Sequence, residues 1–133
     1  MTRAQVQRLL RRPFLRAYGF RVRALGPGTC TLDVPFSRRL ERPGGIVGGI
    51  VFMAAADAAM WLAILTRLGL ADRSVTVELK TTFLQPVRRA DFRCRARILR
   101  LGRRLVYGVV ESTAAGALVA HHTVTYARPD VSP

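Results

Sequence analysis

Residues 43–66 read PGGIVGGIVFMAAADAAMWLAILT, and the stretch carries one charge, Asp57. Its length suits a membrane span, for which about 20 apolar residues suffice. Two features argue against one. Four glycines crowd its start, and an aspartate at a bilayer centre costs about 2.5–3.5 kcal/mol on insertion scales. The part from about Gly48 to Leu68 is Ala-rich and small. It reads as one long helix covered on most sides by a sheet, which demands the same hydrophobicity. No membrane span is expected.

The flanks supply that sheet. Before the helix, Phe20, Val22 and Ala24 alternate with Arg21 and Arg23; Gly26-Pro27-Gly28 turns; Cys30, Leu32, Val34 and Phe36 alternate with Thr29, Thr31 and Asp33. This pattern predicts a hairpin. After the helix, Val75, Val77, Leu79 and Phe83 alternate with Ser74, Thr76, Glu78, Lys80 and Thr82, and Pro86 ends that run. Phe92, Cys94, Ala96 and Ile98 alternate with Asp91, Arg93, Arg95 and Arg97, and the phase breaks at Leu99, which predicts a bulge. Leu105–Thr113 is apolar on both faces, and Leu118, Ala120, His122, Val124 and Tyr126 share one face of a last strand. Residues 3–18 read as a short basic helix, with Thr2 as cap, Val6, Leu9 and Leu10 on one side and Pro13 as an interruption. The tail over 129–133 is expected to be loose. One long helix against six strands is an α+β layout with the sheet wrapped around the helix. Such a sheet leaves its edges open, and pairing with a second copy would cover them.

Composition narrows the class. The 133 residues are 50% hydrophobic, which excludes intrinsic disorder and fits one domain over 1–133. With 21 Arg, 1 Lys and 8 acidic residues the formal net charge is +14. That favours anionic partners, although a GC-rich genome also produces such an Arg-to-Lys ratio. Residues 1–12 are basic, but no apolar core of a signal peptide follows. Cys30 and Cys94 stand 64 positions apart with no CxxC and no Cys/His cluster. No metal site and no disulfide framework are expected; two buried thiols in a reducing cytoplasm are the expected state, with a single disulfide between them as the alternative.

Two features of the long helix carry chemistry. Asp57 is its lone charge, and a buried carboxylate needs partners. It is either a structural aspartate bonded to Ser or Thr, or a carboxylate held as general base or nucleophile. Gly48 and Gly49 open the helix, where free N–H groups and a partial positive charge can hold an oxyanion; the Gly49 and Ile50 amides are the candidate donors. The same glycines could simply permit tight packing. Gly48 and Asp57 lie ~13 Å apart along the helix axis. One reacting carbonyl cannot touch both, so if both act they come from different subunits.

Here a family resemblance enters. Arg42-Pro43-Gly44-Gly45, Val47-Gly48-Gly49-Ile50 and Ala55-Ala56-Asp57-Ala58-Ala59-Met60 resemble the helix opening of hotdog-fold thioesterases of the PaaI type. TVELKTTFLQPV (76–87), LRLGRRLVYGVVE (99–111) and LVAHHTVTYARP (118–129) resemble the same family's strands, so the likeness covers about residues 14–129. It implies a hotdog fold, a homodimer or a dimer of dimers, and hydrolysis of acyl-CoA or a related acyl thioester. It places the family's acidic catalytic residue at Asp57. Thr76 falls where many members carry a Ser or Thr that positions water or the acyl group; its alternation equally allows a solvent-facing threonine. Many members have His near Gly48 and Asn a few residues earlier; here stand Val47-Gly48 and Leu40-Glu41-Arg42.

Beside these, Met53, Ala54 and Trp61 are expected along the acyl chain. Arg88, Arg89, Arg103 and Arg104 are candidates for CoA phosphates, or are solvated turn arginines. His121 and His122 point to opposite faces and cannot share a metal; His122 reads as a core histidine. No cofactor is expected, since CoA enters with the substrate. The rival readings are a non-catalytic acyl or acyl-CoA binder, favoured by the missing His and Asn, and a nucleic-acid binder. The latter is disfavoured because no exposed aromatics interleave with Arg93, Arg95 and Arg97.

Overall fold

The helix of the quoted stretch, α3 (Gly49–Leu68), follows Gly48 and stops at Gly69, whose φ of +95° suits only glycine. The computed structural model describes residues 1–129. Val51, Phe52, Ala55, Ala56 and most of the helix through Leu65 are buried. This one helix of membrane-spanning length and hydropathy among the described residues therefore lies in the core.

Around it runs a six-stranded antiparallel sheet built from β1 (Arg21–Gly26), β2 (Thr29–Val34), β5 (Val75–Phe83), β6 (Phe92–Leu101), β7 (Leu105–Ala114) and β8 (Ala117–Ala127). Its order is β1-β2-β6-β7-β8-β5. The element between the first hairpin and the helix was not foreseen. There β3 (Glu41–Arg42) and β4 (Ile46–Val47) form a two-residue ladder around Pro43-Gly44-Gly45. Gly44 and Gly45 have φ of +105° and +76°, which is why two glycines make this turn. The N-terminal helix is split into α1 (Arg3–Leu10) and α2 (Pro13–Arg16), with Pro13 as the first residue of the second. Val6 and Leu10 are buried, and Thr2 caps α1 as expected. The expected loose tail lies, but for Pro129, outside the described residues.

The bulge at Leu99 is present: Ile98 pairs with Gly108 and Arg100 with Tyr107. A second bulge, at Val77, overturns the predicted phase of β5. Thr76 pairs with Tyr126, but Glu78 pairs with Thr125 and Leu79 with Val124. The inserted residue puts Thr76, Leu79 and Thr81 on the helix side with Tyr126, Val124 and His122, and leaves Val75 and Val77 exposed. β5 is also an edge strand.

Cys30 and Cys94 are free and fully buried, and burial pushes the Cys30 thiol up to about 12. His122 is a satisfied core histidine. Thr81 Oγ1 lies 2.8 Å from its Nδ1 and Ser112 Oγ 3.0 Å from its Nε2. Burial lowers its pKa to about 4. On the outer face, Asp33 pairs with both Arg23 and Arg93.

Candidate active site

Asp57 sits two turns into α3, on the stripe Ile50, Met53, Ala54, Asp57, Trp61. These residues follow helical spacing and form the side that the sheet covers least; Ile50 is 75% exposed. The Asp57 carboxylate is held by one oxygen. Thr76 Oγ1 donates to Oδ1 at 2.8 Å and the Tyr126 hydroxyl donates to the same atom at 2.7 Å. Tyr126 also reaches the Asp57 main-chain carbonyl at 3.2 Å. Burial, then the adjacent carboxylate, push the Tyr126 hydroxyl pKa upward, so it stays a donor. Oδ2 has no hydrogen-bond partner among the described residues.

The structural reading of Asp57 and access to open space coexist here. It is bonded to a threonine, and it also lines a hollow of about 450 Å³. Ala54, Trp61, Phe14, Tyr18 and Ser74 share that wall. Phe14 meets Trp61 edge-on, with centroids 6.0 Å apart. Ser74 Oγ is buried and has no partner among the described residues. A buried hydroxyl in this state is ready for a water or ligand. Met53 is half-buried on the same stripe but does not line this hollow.

The helix start opens elsewhere. Gly49 lines a separate hollow of about 300 Å³ with Arg42, Val47, Phe52 and Phe83. Gly48 is the cap, and its N–H already donates to the Leu40 carbonyl at 2.9 Å, so it offers no donor to a substrate. The Gly49 and Ile50 amides have no acceptor among the loop and cap bonds of the described residues. The packing role of glycine is also real. A Cβ on Gly49 would stand 3.1 Å from the Phe83 ring.

The arginines divide. Arg88 and Arg89 lie beside the Gly44–Gly45 turn, near the helix start. Arg103 and Arg104 are exposed in the β6–β7 turn, at the end of the sheet where Leu105, Ala127 and Val75 pair. Tyr126 and Ser74 were missed from sequence as site residues, as were Phe14 and Tyr18. Only Tyr126 left a signal: a tyrosine on a buried face needs a partner for its hydroxyl.

Residues 44–120 match the family model described as the thioesterase superfamily. A Thermoplasma acidophilum protein named "Putative esterase" is 32% identical over 71% of this chain and 70% of its own length. A variant of the phenylacetic acid degradation protein PaaI from Thermus thermophilus superposes with a TM-score of 0.81 at 29% identity, covering 88% of this chain and 99% of that one. A thioesterase from Haemophilus influenzae has a TM-score of 0.91 at 21% identity, over 100% and 94% of the two chains, and shows the same fold. The lone carboxylate of the core helix and the glycines that open it lie inside the matched region. The chain therefore belongs to the thioesterase superfamily, as a thioester hydrolase of the PaaI-type hotdog group.

Proposed function

We propose that this protein hydrolyses acyl-CoA thioesters at a site shared by two copies, with Asp57 from one and the Gly49 and Ile50 amides from the other. The observation that carries the reading is the separation of the two half-sites. The anchored carboxylate and the helix-start amides open into different hollows of one chain. Antiparallel pairing of β5 with its twin about a two-fold would bring the Thr76 end of one strand beside the Phe83 end of the other. Those ends flank Asp57 and Gly49 respectively. The edge is also apolar enough to need a cover: Val75, Val77, Phe83, Leu84 and Ile50 are each at least half exposed.

In this reading, water bound near Ser74 attacks the thioester carbon and gives a proton to Oδ2 of Asp57. Thr76 and Tyr126 hold the other oxygen, fixing the orientation of the base. The carbonyl oxygen becomes an oxyanion held by the two amides at the positive end of the partner helix. Collapse breaks the C–S bond, and the departing thiolate takes the proton from Asp57. The acyl group rests against Phe14, Tyr18, Ala54 and Trp61. Side chains, amides and water supply every group this scheme uses. The two unpaired thiols fit a reducing compartment such as the cytoplasm.

The test is subunit complementation. Asp57→Asn removes the base. Gly49→Pro deletes one amide donor at the first helical position, where the missing N–H is tolerated. Gly48, at φ −65° and ψ 143°, already has the backbone a residue before proline needs, and the Phe83 ring, 3.1 Å from the added Cβ, must shift by a few tenths of an ångström. Each variant alone is expected to lose hydrolysis. Randomly mixed and reassembled, they should recover about a quarter of wild-type activity per chain, because half the dimers hold one intact site of two. No recovery from two folded variants would refute a shared site.

A further inference from the structure

The Pro43–Gly45 turn stands over the loop that follows β5, because the Val47 N–H donates to the Val87 carbonyl at 2.8 Å. That bond sets Arg88 and Arg89 beside the turn. Arg88 Nη1 reaches the Gly44 carbonyl at 3.3 Å. Arg89 Nε pairs with Glu41 at 3.0 Å, which neutralises the one acidic group of the cluster. Arg42 and Arg88 are exposed, and neither has an ion-pair partner among the described residues. These groups border an open hollow of about 680 Å³. Glycine at positions 44 and 45 keeps side chains out of it, and a Cβ on Gly44 would meet nothing within 4 Å. Arg42 lines both this hollow and the one that holds Gly49, so the two adjoin at its side chain.

We propose that Arg42 and Arg88, on either side of the Gly44–Gly45 turn, form the subsite that takes the phosphates of the CoA portion of the substrate; the inference rests on the acyl-CoA reading above. A thioester carbonyl held at the Gly49 amide directs its thiol arm along the apolar hollow lined by Val47 and Phe83. The far end of that arm reaches two guanidinium groups without an ion-pair partner among the described residues, which match phosphate oxygens in charge and geometry. Arg103 and Arg104 border neither hollow and take no part.

The test compares two substrates that share an acyl group: the CoA thioester and the N-acetylcysteamine thioester, which lacks every phosphate. In Arg42→Ala/Arg88→Ala, kcat/KM for the CoA thioester is expected to fall roughly 100-fold, about tenfold for each lost charged contact. That for the short thioester should stay within twofold. Arg88→Lys keeps the charge and should recover part of the loss. Arg103→Ala/Arg104→Ala should resemble wild type on both. Calorimetric titration with free CoA gives a second readout, with the same weakening in the double variant and a strong salt dependence in wild type. Equal losses on both substrates, or wild-type affinity for CoA in the double variant, would overturn the subsite. A wild-type protein that binds CoA through these arginines yet hydrolyses neither thioester would overturn the hydrolytic reading alone.

Discussion

Replacing Tyr126 with phenylalanine is the sharpest probe of the site. The substitution removes one oxygen and leaves the ring in a position that is 4% exposed. Lost with it is a 2.7 Å bond to Asp57 Oδ1 and a weaker one to the main-chain carbonyl. A hydrogen bond to a charged group is worth about 1.5–3 kcal/mol. If that energy keeps Oδ2 aimed at the substrate, kcat falls about 10- to 100-fold, since each 1.36 kcal/mol is tenfold in rate. KM should hardly move, because the hydroxyl contacts the base and not the substrate. Thr76→Val removes the other donor to the same oxygen and should behave alike. The double variant should fall short of the product of the two losses. Once either donor is gone the carboxylate can rotate, and groups that share an atom couple by about 0.5–3 kcal/mol. The assay is release of free thiol from an acyl-CoA, run beside thermal unfolding. The same bond, at about 1.5–3 kcal/mol, counts toward stability, so the midpoint should drop by several degrees while the protein stays folded under assay conditions. Wild-type kcat in Tyr126→Phe, or losses that multiply in the double variant, would refute the idea that this pair orients Asp57.

Three further outcomes are expected. His122 has a folded pKa of about 4 against an ordinary 6.5; below pH 6.5 the unfolded chain takes a proton that the core refuses, so wild type should lose up to about 3 kcal/mol of stability between pH 6.5 and 4. Urea unfolding of His122→Asn over the same range should show a shallower loss, and parallel curves would show that His122 does not cause it. Gly108→Ala should destabilise by about 1–3 kcal/mol, because its Cβ would stand 2.7 Å from the Arg97 carbonyl and collide with the Met60 side chain; an unchanged thermal midpoint would contradict that packing. Phe14→Ala should raise turnover of long acyl chains relative to short ones by removing the ring that meets Trp61, and an unaltered preference would place the acyl group elsewhere.

Sequence alone was enough for the core helix, the succession of the six sheet strands along the chain, the bulge at Leu99 and the singling out of Asp57. Each rests on local physics: an unbroken apolar run, a period of two, one phase break, one charge among apolar neighbours. The family resemblance added Thr76 as a candidate for positioning water or the acyl group, which strand alternation left open; its bond to Asp57 belongs to the structure. Tertiary structure decided what depends on register. The bulge at Val77 turns Thr76 inward to Asp57 and Val75 outward, and the unbroken alternation from Val75 to Leu79 carries no phase break of the kind that marks Leu99. Tyr126, 69 positions from Asp57, becomes its partner only because β8 lies beside β5. The Gly44–Gly45 turn meets Arg88 through a single backbone bond from Val47 to Val87. Alternation along a chain tells which side a residue takes, but which residues meet across strands is set by pairing between segments far apart in sequence.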